Sequence, residues 1–343
     1  MTPIRVLIVD DSAFTRKVLR EMLESAVGLS VVGTARDGLD ALDKIAELAP
    51  DVVTLDLVMP GLDGLGVLRA LPRPGSPRVI VVSASAEDSE LGIEALQSGA
   101  VDLVHKPTSL ATDRLYEISA ELIAKVVAAA SARPLAPESA APAALPALPA
   151  LPASGRTGLV VIGTSTGGPQ ALTRLLTAMP GDFPAPIAVA LHIPYGYTEA
   201  LARRLDGIAA LRIVEASEGL ELTPGMAAIA PGGLHMKLQR DEGRLVTRLG
   251  VEPIMAAYRP SVDALFESAA QTMGGKTLGV VLTGMGDDGY RGARAIRDAG
   301  GRVLTESADS CVIDGMPRVV REAGLSSAEA TIDEMAALIV RQL

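Results

Sequence analysis

Two α/β domains are predicted, and three observations predict them. Short β-branched runs alternate with amphipathic patterns twice along the 343 residues. A stretch dense in Pro and Ala separates the two series. Acids and hydroxyls cluster where the apolar runs end, as at Asp10-Asp11 after Ile4–Val9 and at Asp56 after Asp51–Leu55.

Residues 1–130 carry five predicted strands: Arg5–Val9, Ser30–Ala35, Asp51–Asp56, Arg78–Ser83 and Asp102–His105. Between them, Phe14, Val18, Met22 and Leu23, and later Leu91, Ala95 and Leu96, recur at helical spacing. Strands separated by helices require right-handed crossovers, hence a parallel sheet covered on both faces. Ligands of such sheets bind at the carboxyl ends of the strands. Asp10, Asp11, Asp56, Ser83 and Lys106 all fall at those ends.

Residues 131–156 repeat Pro every few positions. Proline lacks an amide donor and fixes φ, so helix and central strand are excluded and an extended, semi-rigid linker is expected. Residues 157–343 resume the alternation as a doubly wound, mostly parallel domain. Its predicted strands are Leu159–Gly163, Ile187–Leu191, Arg212–Val214, Ala227–Ala230, Leu278–Thr283 and Arg302–Thr305. The stretch from Ala228 to Leu238, followed by Arg244–Leu249, reads as an antiparallel hairpin.

Composition excludes several classes. A formal charge of −10 opposes a nucleic-acid partner, whose phosphates need a basic face. One cysteine, Cys311, excludes an internal disulfide framework and reads as a small buried hydrophobe. Neither a secretory signal nor a span of membrane length is present, so no direct membrane insertion and a cytoplasmic location are expected.

Three carboxylates at one sheet edge repel strongly at low effective dielectric and call for a cation. Oxygen ligands alone suit Mg²⁺, which also organises phosphoryl transfer. In the second half, Gly163-Thr164-Ser165-Thr166-Gly167 satisfies the G-x-S-x-G pattern and presents Ser165 directly after a buried strand. The same turn could cradle a phosphate or merely connect two elements. His192 and the pair Asp287-Asp288 follow two further strands, so serine, imidazole and carboxylate can converge. A hydroxyl becomes nucleophilic when an imidazole takes its proton, and a carboxylate fixes the imidazole's tautomer. The chain order Ser, His, Asp differs from that of α/β-hydrolases, leaving a triad on another scaffold or no triad.

Asp10-Asp11, Asp56, Ser83 and Lys106-Pro107, in that order, resemble the receiver domain of two-component response regulators. The resemblance implies that Asp56 accepts a phosphoryl group from a histidine kinase. Asp11, Asp56 and the Val58 carbonyl would hold Mg²⁺, with Asp10 contributing through water, while Ser83 and Lys106 would contact the phosphoryl oxygens. Receivers commonly place an aromatic where this chain has Leu103. His105 reads as a strand residue.

The motifs Gly163-Thr-Ser-Thr-Gly-Gly, His192-Ile-Pro, Ile229-Ala-Pro-Gly-Gly-Leu-His-Met, Arg259-Pro-Ser-Val-Asp, Leu282-Thr-Gly-Met-Gly-Asp-Asp-Gly and Cys311-Val-Ile-Asp-Gly-Met-Pro resemble the chemotaxis protein-glutamate methylesterases. By this resemblance Ser165 is the nucleophile, His192 the general base and Asp288 the orienting acid. Backbone N–H groups near Thr166 and Met285 are the oxyanion donors. The implied substrates are glutamyl methyl esters, and glutamines, of methyl-accepting chemoreceptors; the implied phosphodonor is a chemotaxis histidine kinase. Phosphorylation of the receiver would relieve inhibition of the catalytic domain. No cofactor is implied for that second domain. The rival readings are a receiver driving non-catalytic docking and an esterase for an unrelated small ester. His235 reads as a structural hydrogen-bonding residue, and Arg259 either meets an acidic receptor surface or pairs with Asp263.

Overall fold

The computed structural model describes residues 2–71, 75–83, 89–106, 112–133 and 157–343. Most of the expected linker, from residue 134 to 156, and Pro107 lie outside them. The chain divides into two compact units, Met1–Ala132 and Arg133–Leu343.

The first unit alternates β1 (Ile4–Val9), α1 (Ala13–Glu24), β2 (Leu29–Ala35), α2 (Gly38–Leu48), β3 (Val52–Leu55), α3 (Gly64–Ala70), β4 (Arg78–Ser83), α4 (Ser89–Gln97), β5 (Asp102–His105) and α5 (Thr112–Ala130). All pairings are parallel, in the order β2-β1-β3-β4-β5. This is the expected five-stranded α/β sheet. Helices on both faces explain why β3 is buried along its whole length and β1 over its last four residues. Ser12, Asp37 and Asp63 cap α1, α2 and α3 by accepting the amides of Thr15, Asp40 and Gly66. Leu103 is fully buried in β5. The order reverses between β1 and β3, which sets Asp10 and Asp56 side by side.

The second unit opens with β6 (Leu159–Thr164), α6 (Gly168–Thr177), β7 (Ile187–Leu191), α7 (Thr198–Asp206), β8 (Arg212–Glu215) and β9 (Met226–Ile229). The hairpin β10 (His235–Asp241) and β11 (Arg244–Gly250) follows, then α8 (Val262–Met273), β12 (Thr277–Val281) and α9 (Tyr290–Asp298). The unit closes with β13 (Arg302–Glu306), α10 (Met316–Glu322), β14 (Ala328–Ala330) and α11 (Ile332–Val340). Seven parallel strands lie in the order β14-β13-β12-β6-β7-β9-β8, with β10 and β11 as a separate antiparallel pair.

The doubly wound fold is thus as expected, with three local differences. The hairpin begins at His235, because Ala228 and Ile229 already pair in the parallel sheet. β12 stops at Val281, since the Thr283 amide turns to a Glu306 carboxylate oxygen at 2.8 Å. Strand β14 was not expected; three residues, Ala-Glu-Ala, carry no β-branched signal. Chain order reverses between β6 and β12, so loops leaving those strands flank one crevice. Glycine at 163 lets α8 close on β6, since a Cβ there would lie 2.2 Å from a Val262 methyl.

Candidate active site and acidic cluster

Ser165 follows the last residue of β6 and His192 follows the last residue of β7. Thr164 and Leu191 are paired in register, so Ser165 and His192 leave adjacent parallel strands side by side. The His192 amide donates to the Thr164 carbonyl at 3.1 Å, which carries that register into the loop. Both residues are nearly buried, at 5% and 8% exposure.

The ends of β6 and β12 are laced together. Ser165 N–H and Thr164 Oγ1 both donate to the Thr283 carbonyl, at 3.0 and 2.7 Å. Thr283 Oγ1 donates to the Thr166 carbonyl at 3.0 Å. Gly284 follows, and a Cβ there would come within 2.8 Å of Ser165 Cβ and 2.4 Å of Met316 Sδ. Only glycine permits this approach. Met285 then offers an amide with no hydrogen-bond acceptor among the described residues.

Asp288 receives the imidazole: His192 Nε2 and Asp288 Oδ2 are 2.8 Å apart. The same carboxylate accepts Val262 N–H at 2.7 Å, Asp263 N–H at 2.9 Å and Ser261 Oγ at 3.0 Å. It therefore sits at the N-terminus of α8, where the helix dipole favours a negative charge. Burial alone would push its carboxyl up, but the His192 ring and the two amides outweigh that and hold it below the usual range. Ionised Asp288 keeps the proton on Nε2, so the Nδ1 lone pair is the basic one. Nδ1 is buried without a hydrogen-bond partner. No hydrogen bond joins Ser165 to the imidazole in this structure. Asp287 is exposed, and the carboxylate that accepts from the imidazole is that of Asp288.

Sequence reasoning singled out Ser165, His192 and Asp288 and read His235 as a structural hydrogen-bonding residue, but gave no role to Ser261, Tyr258 or Glu306. Ser261 caps α8 and braces Asp288. Asp263 accepts the amides of Gly289 and Gly292 at 2.9 and 2.8 Å and pairs with Arg291 at 2.9 Å. The alternative of an Arg259–Asp263 pair is therefore corrected, because Arg291 and two amides already occupy that carboxylate. Arg259 instead donates to the Ile254 carbonyl at 3.2 Å. A serine followed by an acid two residues later is a helix-start signal, and it was available in the sequence. His235 is buried, accepting Ser261 N–H on Nδ1 at 3.1 Å and facing the Pro253 carbonyl with Nε2 at 3.2 Å. Burial is the main cause pushing its pKa down. Tyr258 stacks on the His192 ring with centroids 4.1 Å apart and planes 14° apart. Glu306 ends β13 fully buried, pushed up to about 7 by its burial. It accepts Thr283 N–H and Ser310 Oγ, each at 2.8 Å.

In the first unit, carboxylate oxygens of Asp10, Asp11 and Asp56 lie within 4.8 Å of one another. Lys106 Nζ reaches Asp56 at 2.7 Å and Asp10 at 2.8 Å. Burial is the largest influence on Asp56 and pushes it up, while Lys106 opposes the rise. A second cation beside Asp56 would favour its ionised, nucleophilic form. Hard oxygen donors at this spacing fit Mg²⁺. Ser83 Oγ is buried without a partner, beside the cluster at the end of β4. Val58 follows two residues after Asp56 and is exposed, with its N–H donating to Asp56 Oδ1 at 3.4 Å.

These geometries can be set beside known proteins. The model of the CheB methylesterase family matches residues 160–339, and that of the response regulator receiver domain matches residues 6–118. The chain belongs to the CheB methylesterase family. A protein-glutamate methylesterase/protein-glutamine glutaminase of Myxococcus xanthus is 60% identical over 344 residues, covering 100% of this chain and 99% of that one. One from Symbiobacterium thermophilum is 44% identical, covering 99% and 97%. The crystal structure of the Thermotoga maritima CheB methylesterase catalytic domain superposes with a TM-score of 0.54 at 38% identity. It covers 55% of this chain and 100% of that domain. As a CheB methylesterase with a receiver, the chain carries its two chemistries on separate sheets. Among the described residues no helix is long and apolar enough to cross a membrane.

Proposed function

We propose that this chain is a phosphorylation-activated protein-glutamate methylesterase and glutamine deamidase of a chemotaxis pathway, working in the cytoplasm on methyl-accepting chemoreceptors. The observation that carries the catalytic reading is the 2.8 Å contact of His192 Nε2 with Asp288, which leaves Nδ1 as base on the Ser165 side. Nδ1 takes the Ser165 proton as Oγ attacks the glutamyl carbonyl. The oxyanion forms against the backbone amides of Met285 and Thr166, each worth a few kcal/mol. The imidazolium returns the proton to the departing methoxide, and methanol leaves. Water, deprotonated by the same Nδ1, then releases Ser165 and a free glutamate. Glutamine follows the same course with ammonia as the product.

In the receiver, Asp56 accepts the phosphoryl group of a chemotaxis histidine kinase. Asp11, Asp56 and the Val58 carbonyl would hold Mg²⁺, with Asp10 contributing through water, and the ion would supply neutralisation of charge on the phosphoryl oxygens. Lys106 and Ser83 contact the product phosphate. Phosphorylation raises turnover in the second unit.

The test is methanol release from methylated receptor membranes, with and without a small phosphodonor and Mg²⁺. The phosphodonor should raise the wild-type rate, and Ser165→Ala should abolish turnover while receptor binding persists. Undiminished turnover in Ser165→Ala defeats the catalytic reading. Equal rates with and without phosphodonor, for both the intact chain and a fragment starting near Gly155, defeat the regulatory one.

A further inference from the structure

We propose that Tyr258 is a positioning residue for the general base, holding the His192 ring at the rotation that turns Nδ1 toward Ser165; this deepens and rests on the esterase reading above. The argument starts from where Asp288 grips the imidazole. Nε2 lies on the far side of the ring from Cγ, nearer the extended line of the Cβ–Cγ bond than Nδ1 does. A single hydrogen bond there tethers the ring's tip but resists spin about χ2 less than one at Nδ1 would. Rotation of this kind is soft, because sp³–sp² torsions have broad wells. A carboxylate gripping the off-axis Nδ1 would resist it, but Nδ1 is the atom left for the nucleophile, and it has no hydrogen-bond partner. One polar contact therefore holds the ring's rotation only in part.

Tyr258 supplies what is missing. Its ring lies flat on the imidazole, 4.1 Å between centroids and 14° from parallel. Any spin about χ2 drives an imidazole edge into that face. The tyrosine itself is well anchored. Its neighbour Arg259 accepts Gly233 N–H at 3.0 Å through its carbonyl and donates to Ile254 O at 3.2 Å. Its hydroxyl lies 3.6 Å from where a Gly286 Cβ would be, so it also abuts the loop that bears Met285. Once the imidazole is protonated, the π face attracts the cation it already covers.

Two readouts on the full-length chain test this: methanol release from methylated receptor membranes, and labelling of Ser165 by a fluorophosphonate. In the labelling, Oγ bonds to phosphorus, fluoride leaves and His192 takes the proton, so it reports serine activation whatever the natural substrate. Tyr258→Leu fills the space without a flat face. It should lower kcat and the labelling rate together by roughly 10- to 100-fold, the scale of a slightly misplaced catalytic group. KM should move less than about twofold, and Tyr258→Phe should stay within about threefold of wild type on both readouts. A wild-type labelling rate in Tyr258→Leu overturns the proposal. So does a Tyr258→Phe variant as slow as the leucine one, which would assign the effect to the hydroxyl. Should Tyr258→Leu not fold, Tyr258→His, a smaller flat ring, replaces it: labelling within about tenfold supports the stack, and complete loss overturns it. Wild-type protein that labels but releases no methanol defeats the esterase reading instead, and the labelling rates still decide the role of Tyr258.

Discussion

Replacing Asp288 by asparagine preserves the side chain's shape and converts one of its two oxygens into a donor. Oδ2 accepts from His192 and Val262, at 2.8 and 2.7 Å; Oδ1 accepts from Asp263 and Ser261, at 2.9 and 3.0 Å. With the amide nitrogen at the first position, Nε2 must accept, the imidazole proton moves to Nδ1, and the basic Nδ1 lone pair is gone. With it at the second, the ring keeps its tautomer but loses the negative charge that stabilises the imidazolium. Loss of the correct tautomer costs about 10⁴-fold in kcat in a serine triad, so a fall of roughly 10³- to 10⁴-fold is expected, about 4 to 5.5 kcal/mol of barrier. Either orientation also leaves one α8 amide unpaired in a buried place, a further loss of about 1–3 kcal/mol in stability. For a unit of this size that is a melting decrease of roughly 2–10 °C. The carboxyl is held below its ordinary value near 3.9, so its stabilisation is present above that pH and lost as pH falls through it. The melting deficit of Asp288→Asn should therefore be full at pH 7 and shrink near pH 3. Methanol release and scanning calorimetry measure the two effects, with Asp287→Asn as a control expected within about twofold of wild type. A kcat for Asp288→Asn within tenfold of wild type would refute the assigned role.

Three other perturbations follow from the same structure. Glu306 is raised to about 7 by burial, so its contribution is full below the ordinary carboxyl value and is lost as pH rises through 7. The unfolding free energy of wild type, from urea titrations, should thus fall between about pH 5 and 7.5, by up to ~1.4 kcal/mol per pH unit, while Glu306→Gln flattens the slope; equal slopes would contradict this. Gly284→Ala forces a methyl to 2.8 Å from Ser165 Cβ, and should cost about 1–3 kcal/mol of stability and at least tenfold in kcat. A variant with wild-type turnover would remove the close approach as a requirement. Lys106→Met removes the ammonium that neutralises Asp56 and Asp10, and should tighten Mg²⁺ binding by about threefold or more in titration calorimetry. Weaker binding would show that Lys106 does not compete with the ion.

What the sequence disclosed depended on how far each signal reaches. Both sheets were legible because their strands are continuous apolar runs ending in chemistry-bearing residues, as at Asp10, Asp56, Ser165 and His192. The hairpin boundary was misread since Ala228 and Ile229 suit either a parallel or an antiparallel partner; only pairing with Val189 decides it. The grip on Asp288 could not be read, because three of its contacts come from the first turn of a helix more than twenty residues earlier. Glu306 repeats the pattern that exposed the receiver cluster, an acid closing an apolar run, yet drew no notice because no second acid stands beside it. Tyr258 had no signal at all: a ring's value as a flat stop depends on what it lies against.

The hydrogen bond between His192 and Asp288 joins positions 96 residues apart, and it depends on a strand that enters the sheet late in the chain. A polypeptide interrupted before β12 owns the serine and the imidazole but neither the anchor for the ring nor the amide of Met285. On the proposed mechanism, a chain cut before β12 would be silent toward esters, because the ring's anchor arrives only with Asp288.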